Sequence, residues 1–148
     1  MTTKIASGVG CKWMQAYVKV PAQRRGVHKI TKLLTALPIK DIKIGTMNIV
    51  IQHTSASLSL NECWDDSVRD DMEMMLNRLA PQNAPYTHTL EGADDMPAHV
   101  KCSLMGSSLT IPITEGKLNL GTWQGIWLCE HRDHGGSRNL VVTIQGCE

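Results

Sequence analysis

The 148-residue sequence predicts an α+β fold, with helices packed on a mainly antiparallel or mixed sheet. Apolar residues recur at helical spacing in the first two thirds of the chain, whereas three consecutive strand-like segments end it and predict a C-terminal β-meander. The chain lacks the glycine-rich nucleotide-binding loops of alternating α/β folds. Its length predicts a single domain over residues 1–148.

The first half of the chain contains strand and helix patterns in turn. Residues 12–20 alternate between apolar and polar, which predicts a half-buried strand that ends before Pro21. Residues 26–37 carry apolar side chains at helical spacing and predict a helix that stops at Pro38. Residues 42–52 alternate again, but the phase changes around Gly45. This change predicts either a bulge or a strand buried on both faces.

A second helix is predicted over residues 68–79, capped by Asp65 or Asp66. A long polar connection, residues 81–95, precedes a short predicted helix at 98–104. The remaining strands are predicted at 109–113, 118–129 and 140–144. Trp123 and Trp127 are both expected to pack in the sheet core.

Composition and charge argue against several classes of partner. The net charge is +1 and no long Lys/Arg run occurs, so neither nucleic acid nor an anionic membrane is an expected partner. No stretch approaches the roughly 20 apolar residues of a membrane span. The five cysteines are odd in number and form no CxxC pair, which predicts reduced thiols in a cytoplasmic protein.

Three histidines occupy positions that suit a metal site. His53 follows an apolar strand, His88 lies in the long connection, and His99 lies in the short helix. Neutral imidazoles bind zinc and similar ions, and three protein ligands leave a fourth position open for catalysis. The spacing alone is equally compatible with histidines scattered over the surface and the core.

Other polar residues form candidate sites that also have ordinary structural explanations. The hydroxyl groups around Ser55 and Ser107 suit either an anion or local caps and turns. Asn61 and Glu62 suit either metal ligation or the start of a helix. His131 and its neighbours suit either a second metal pair or a solvated loop.

Several long motifs together resemble one family. They are His53-Thr54-Ser55-Ala56-Ser57 with Leu60-Asn61-Glu62; Tyr86 to His88 with Glu91-Gly92; Asp94-Asp95-Met96-Pro97 running into His99-Val100-Lys101; and Gly121-Thr122-Trp123-Gln124-Gly125 leading to Glu130-His131-Arg132. This ordered set, which covers nearly the whole chain, resembles the YjbQ family, some of whose members look like weak or secondary thiamine-phosphate synthases. Cys63 and Trp64 depart from the family pattern, and a bulky Trp64 could alter the mouth of the site.

The resemblance implies a YjbQ-like α+β fold, a homotrimer and a site for a phosphorylated small molecule or anion. It implies a divalent metal, zinc-like, bound by His53, His88 and His99, with Mg²⁺ the alternative for a diphosphate substrate. The implied reaction joins a pyrimidine diphosphate to a thiazole phosphate and releases pyrophosphate. The implied catalytic residues are Glu62, Lys101 and Glu130; the implied substrate-binding residues are Thr54, Ser55, Asn61, Ser107, Gln124, His131 and Arg132.

Two alternatives stay open beside this transferase. The first is a metal-dependent hydrolase acting on a phosphorylated small molecule, with Glu62 or Glu130 as general base. The second is a non-catalytic trimer in which a metal or an anion is structural.

Overall fold

The structure is a computed structural model that describes the backbone of residues 4–8 and residues 11–148 in full. Within this part of the chain, two antiparallel sheets and three helices form the architecture. The larger sheet has the strand order β1 (Lys4–Gly8), β2 (Lys12–Val20), β9 (Arg138–Cys147), β4 (Ile44–Ile51), β6 (Ser108–Thr114) and β7 (Lys117–Leu118). The smaller sheet has the order β3 (Gly26–Lys29), β8 (Gln124–Glu130) and β5 (Ala56–Glu62). The helices are α1 (Thr31–Thr35), α2 (Ser67–Leu79) and α3 (Asp95–Met105).

The core lies between the two sheets. Alternate residues of the larger sheet point to this core because successive side chains of a strand face opposite sides. Met14, Met47 and Ile144 are examples, and Ile144 lies opposite the other two in the paired strands. The smaller sheet adds Leu58 and Leu128 to the same core.

The other face of the smaller sheet packs against helices. Trp127 and Cys129 of β8 are fully buried there, with Val27 of β3 beside them. Met72 of α2 and Met105 of α3 cover this second cluster. The layers are therefore large sheet, small sheet, and helices α2 and α3.

The α+β class and its antiparallel sheets are confirmed, and β2 occupies the predicted range 12–20. The helix predicted at 26–37 is wrong in its first part, because residues 26–29 form β3. This strand pairs with β8, from Gly26 opposite Glu130 to Lys29 opposite Trp127. A distant partner therefore overrides the local helical spacing, and α1 retains only five residues.

The bulge predicted near Gly45 is absent from β4. Its ladder with β9 runs without interruption from Ile44 opposite Cys147 to Ile51 opposite Leu140. Ile42 lies before the strand and its side chain fills the space beside Gly45, while Ile44 is 68% exposed. The phase changes because the strand begins after Ile42, and a strand buried on both faces is also ruled out.

The strand predicted at 118–129 is two strands in two different sheets. β7 forms a hairpin with β6, whereas β8 lies in the smaller sheet, and β9 returns to lie between β2 and β4. The last strands therefore do not form the predicted meander. Trp127 is buried as expected, but Trp123 is exposed and makes an edge-to-face contact with Trp64, with ring centroids 5.6 Å apart.

Helices α2 and α3 lie near their predicted ranges. Asp66 is the N-cap of α2 but makes no side-chain capping hydrogen bond, whereas Asp65 Oδ1 accepts the backbone N–H of Ser67 at 2.9 Å. The predicted apolar stripe of α2 buries Leu76, but Met75 and Leu79 remain exposed. Among the helices described, none has the length and apolar character needed to cross a membrane.

Candidate metal centre

Three side chains near the start of α3 converge on one point. His88 comes from the long connection, while Asp95 and His99 stand four residues apart in α3 and so share one helix face. One ligand atom from each lies within 4.8 Å of the others. Ligand atoms around a tetrahedral zinc lie roughly 3.4 Å apart, given bonds of about 2.1 Å. Small side-chain adjustments therefore suffice for these three groups to share an ion.

Asp95 is the centre of this cluster. It is only 1% exposed, and its Oδ2 lies 2.8 Å from His88 Nε2 and 3.3 Å from His99 Nε2. Its other oxygen, Oδ1, accepts a hydrogen bond from Arg132 Nη1 at 2.5 Å. A buried carboxylate needs such partners, since an unpaired charge is costly to remove from water. Oδ2 is the oxygen that faces the two imidazoles.

The tautomer of His99 is set by a backbone carbonyl. His99 Nδ1 lies 2.8 Å from the carbonyl oxygen of Thr54, which can only accept, so Nδ1 carries a proton. A neutral His99 therefore presents the lone pair of Nε2 to Asp95 Oδ2, and two acceptors repel each other unless a proton or a cation lies between them. Metal-ligating histidines characteristically donate their second ring N–H to such a carbonyl. The donor set therefore fits a divalent ion.

Arg132 fastens the long connection to this centre. Its Nε donates to Asp94 Oδ2 at 3.0 Å, its Nη2 to the carbonyl of Glu91 at 2.7 Å, and its Nη1 to Asp95. Burial raises the pKa of Asp94, but hydrogen bonds from the Asp133 backbone and from Arg132 outweigh it and hold that pKa below its usual value. The predicted substrate-binding Arg132 thus has its guanidinium engaged by the protein itself.

His53 lies outside the cluster, although the sequence predicts it as a third ligand. Its Nε2 accepts the backbone N–H of Asn139 at 2.8 Å, and its Nδ1 lies 3.3 Å from Arg138 Nη1. Burial and the positive charge of Arg138 lower the pKa of His53. Both ring nitrogens thus face β9, so the structure joins His88 and His99 with Asp95 instead.

Glu130 forms a buried ion pair with Arg138. Arg138 Nε donates to Glu130 Oε1 at 2.8 Å, and Nη2 donates to Oε2 at 2.5 Å. The same Nη2 donates to Ser55 Oγ at 3.0 Å. All three side chains are buried. Glu130 and Ser55, predicted as catalytic and substrate-binding, therefore join a structural network within the chain.

Lys101 and His131 are buried near this network. Lys101 Nζ donates to Asn77 Oδ1 at 2.6 Å, and burial lowers the lysine pKa. His131 Nε2 lies 2.7 Å from Ser57 Oγ, and its Nδ1 has no protein partner among the described residues. Burial, assisted by the charges of Lys101 and Arg138, lowers the pKa of His131 to about 3. The imidazole is therefore neutral in the folded protein.

The remaining predicted site residues lie elsewhere. Asn61, Glu62 and Gln124 are at the far end of the β5–β8 ladder, where Glu62 lies opposite Gln124 and Ala56 lies opposite Glu130. Six residues of strand place the two ends about 20 Å apart. Ser107 uses its carbonyl to accept the Ile51 N–H, and Thr54 contributes the carbonyl that binds His99. Trp64 packs on Trp123 beyond the Glu62 end, so it does not border the metal cluster.

Asp95, in the His88–His99 cluster, and Arg138, in the buried network, are the positions that sequence reasoning missed. Asp95 is placed by the sequence only at the end of the long connection, before the short helix, and Arg138 precedes the predicted strand 140–144 and is not singled out. The spacing of Asp95 and His99 held a usable signal, because residues four apart on a helix are neighbours. Arg138 carried no comparable signal, since its partner Glu130 belongs to a strand of the other sheet.

Comparisons with known proteins agree on one family. Residues 16–147 match the family model described as UPF0047 protein YjbQ-like. The UPF0047 protein YjbQ of Escherichia coli O157:H7 is 48% identical over 136 residues, covering 90% of this chain and 99% of that protein. A Synechocystis relative is 35% identical over 144 residues, covering 96% of this chain and 98% of its own length.

Solved structures show the same fold. A YbjQ-like protein from Sulfolobus solfataricus has a TM-score of 0.84 at 25% identity, covering 93% of this chain and 100% of that one. A YjbQ/UPF0047 protein from Clostridium acetobutylicum has a TM-score of 0.76 at 33% identity, covering 85% of this chain and 96% of that one. From the family model, the close relatives and the shared fold it follows that this chain belongs to the YjbQ/UPF0047 family.

Proposed function

We propose that the protein is a divalent-metal hydrolase of a phosphorylated small molecule, with the ion held by His88, Asp95 and His99. The observation that carries the proposal is the His99 tautomer: its Nδ1–H is committed to the Thr54 carbonyl, and its Nε2 faces Asp95 Oδ2 at 3.3 Å. Two imidazoles and one carboxylate form a ligand set used by catalytic zinc. Magnesium prefers oxygen ligands and suits this set less well.

A divalent ion with three protein ligands supplies a Lewis acid and a water that ionises near neutral pH. Around it, Arg132 holds Asp95 Oδ1, so that only Oδ2 faces the imidazoles. His88, whose side chain is 46% exposed, stands at the solvent side of the cluster. Substrate therefore enters on the side of His88, while the α3 side of the centre is closed.

Glu91 is the residue that would accept a proton from water if an ion were bound at the cluster. Its Oε2 lies 3.8 Å from Arg132 Nη1, and the side chain is 68% exposed, so it keeps freedom to turn toward the cluster. Glu130 is instead held in the buried pair with Arg138, and Glu62 lies at the far end of β5. Both predicted general bases are therefore replaced in this proposal by Glu91. Lys101 of α3, which donates to Asn77 of α2, is assigned the role of holding the two helices together.

The transfer reaction of the thiamine-phosphate synthases is the second candidate. The acidic side chains of Glu91, Asp94 and Asp95 lie around Arg132, and carboxylates of this kind bind the Mg²⁺ that a diphosphate substrate requires. Pyrophosphate release under Mg²⁺ would favour this candidate. A homotrimer also remains part of the proposal, and the mass of the protein in solution tests it.

Metal content and cobalt spectroscopy test the centre without assuming an activity. The full-length protein is stripped with a chelator and titrated with Zn²⁺ by calorimetry and with Co²⁺ by visible absorption. One ion per chain is expected to bind the unsubstituted protein. His99→Gln and Asp95→Asn should each weaken Zn²⁺ binding by at least 100-fold, since each removes a ligand or its charge. His28→Gln is the matched control, because His28 lies outside the cluster and bonds the Arg24 carbonyl.

Turnover is tested separately with the metal-loaded protein. A panel of small phosphoesters is assayed for phosphate release, and the two thiamine precursors are assayed for thiamine phosphate with Zn²⁺ and with Mg²⁺. Phosphate release that disappears in Asp95→Asn and falls in Glu91→Gln supports the hydrolase. Metal binding without either activity would leave the non-catalytic metal protein. Absence of metal binding rejects the whole proposal.

A further inference from the structure

Two cysteine thiols near opposite ends of the chain lie side by side. Cys11 Sγ and Cys147 Sγ are 3.9 Å apart, although 136 positions separate them in the sequence. Both residues are exposed. Their contact lies at the end of the larger sheet and is unrelated to the metal cluster, which is built around α3.

The strand register explains why these thiols meet. The β2–β9 ladder pairs Lys12 with Gly146, so Cys11 and Cys147 are the next facing positions. Both lie on the solvent face, since the even-numbered residues of β2, such as Met14, point into the core. Facing side chains make contact on this surface, as the hydrogen bond from Gln15 Nε2 to Thr143 Oγ1 at 3.1 Å demonstrates. Facing Cα atoms of antiparallel strands are about 4.5–5.5 Å apart, within the range of disulfides.

We propose that Cys11 and Cys147 form a reversible intrachain disulfide, which makes the pair a site of redox modification. Two thiols lose two protons and two electrons, and one S–S bond forms. A peroxide oxidant accepts the electrons and protons and is reduced to water or alcohol, while a dithiol reductant reverses the step. Rotation of the side chains brings the sulfurs from 3.9 Å to bonding distance without a change of strand register.

The other three cysteines do not compete for this reaction. Cys129 is fully buried, and burial raises its pKa to about 12. Cys102 is buried and lies 3.2 Å from the carbonyl of Ala56, with its pKa also raised by burial. Cys63 is packed against Gly125, since a Cβ added to that glycine would collide with the sulfur. The hydrogen bond with Cys11 raises the pKa of Cys147, but these two thiols are exposed and each has a second sulfur 3.9 Å away, so access and proximity make the pair react first.

The disulfide would fasten the N-terminal hairpin to the rest of the sheet. β1 pairs with β2, and β2 is attached to the remaining strands through β9. A cross-link at the end of the β2–β9 ladder therefore opposes separation of this hairpin. It also closes a loop of more than one hundred residues, which strongly restricts the unfolded chain.

The test uses the full-length protein, reduced and then treated with hydrogen peroxide at low micromolar concentration. Non-reducing tryptic mass spectrometry should find the Cys11 and Cys147 peptides joined, and titratable thiols should fall from five to three. The melting temperature should rise by roughly 10 °C and return after dithiothreitol. Cys11→Ser and Cys147→Ser should each abolish this rise, whereas the control Cys63→Ser keeps it.

Three results would each overturn the proposal. The first is an unchanged thiol count after treatment that oxidises a model dithiol peptide. The second is a cross-link that involves Cys63 or two different chains, the latter visible as a dimer on a non-reducing gel. The third is a joined pair of peptides with no change in melting temperature, which would show that the bond forms only after unfolding.

Discussion

Replacing Glu130 by Gln should destabilise the fold rather than remove a catalytic group. Glu130 is fully buried, and both of its carboxylate oxygens accept hydrogen bonds from the Arg138 guanidinium. The amide keeps the shape of the side chain but removes its charge. Arg138, which also has little contact with solvent, then carries an uncompensated positive charge.

The size of the effect follows from this burial. Removing one partner of a buried ion pair costs about 3–5 kcal/mol, because the other charge stays in a poorly solvated site. A chain of this length has a total stability of roughly 7–22 kcal/mol, so the loss is a large fraction of it. At about 2–4 °C for each kcal/mol, the melting temperature should fall by roughly 10 °C.

Urea denaturation followed by circular dichroism measures this loss. Arg138→Met should be similarly destabilised, and the double variant Glu130→Gln/Arg138→Met should lose less than the sum of the two, because the pair acts as a unit. Glu148→Gln is the control, since its ion pair with Lys12 is exposed and should leave the midpoint unchanged. A Glu130→Gln protein as stable as the parent would refute the buried-pair reasoning. If that variant also lost turnover, the catalytic role predicted from sequence would be restored.

Two further predictions concern buried groups away from the cluster. Burial lowers the pKa of His131 to about 3, so between pH 6.5 and 3 the unfolded chain binds a proton that the folded chain excludes. The free energy of unfolding should therefore fall as the pH drops through this window, by up to about 1.4 kcal/mol per pH unit. Urea titrations at several pH values measure this dependence, which His131→Gln should flatten. His134→Gln, at an exposed histidine, is the control. Gly125→Ala should cost about 1–3 kcal/mol, because its Cβ would collide with Cys63 Sγ and lie only 2.9 Å from Cys63 Cβ. Adding Cys63→Ala should recover only part of that loss, because it removes the sulfur but leaves the Cβ of residue 63 and Thr31 Oγ1, each 2.9 Å from the new methyl group. Gly121→Ala, which meets only a flexible glutamine side chain, should be nearly neutral, and equal losses at both glycines would contradict the packing argument.

Local patterns predicted elements whose character depends on nearby residues. The alternation of β2 marks a strand with one buried face, and α3 covers the predicted range 98–104 but begins one turn earlier, at Asp95. Such local patterns do not predict which distant segments pair as strands. Residues 26–29 continue the helical spacing of residues 30–37, yet β8 recruits them as β3. For the same reason β7 and β8 are predicted as one strand, because their placement in different sheets depends on tertiary contacts.

The site was predictable to the extent that its chemistry was local. His88 and His99 were identified as ligand candidates, and the structure brings them together. His53 was grouped with them because of its residue type and the family resemblance, but β9 supplies hydrogen-bonding partners for both of its ring nitrogens. Asp95 is placed by the sequence only before the short helix, without a role as a ligand. Only the burial and the contacts of Asp95 in the structure distinguish a candidate metal ligand from an ordinary acidic residue at a helix start.

Charge balance around the cluster supplies a separate reason to place a cation there. Asp94 and Asp95 share the single guanidinium of Arg132, and Glu91 lies within 3.8 Å of the same group. Three carboxylates thus surround one positive charge, in a region where Asp95 is almost fully removed from water. Neutral imidazoles leave this excess negative charge uncompensated, whereas a divalent ion at Asp95 Oδ2 would neutralise it. The same ion would separate two hydrogen-bond acceptors, Asp95 Oδ2 and His99 Nε2, that otherwise repel each other. The electrostatics therefore favour positive charge at this point whether or not the protein turns over a substrate, which is why ion binding and catalysis have to be measured separately.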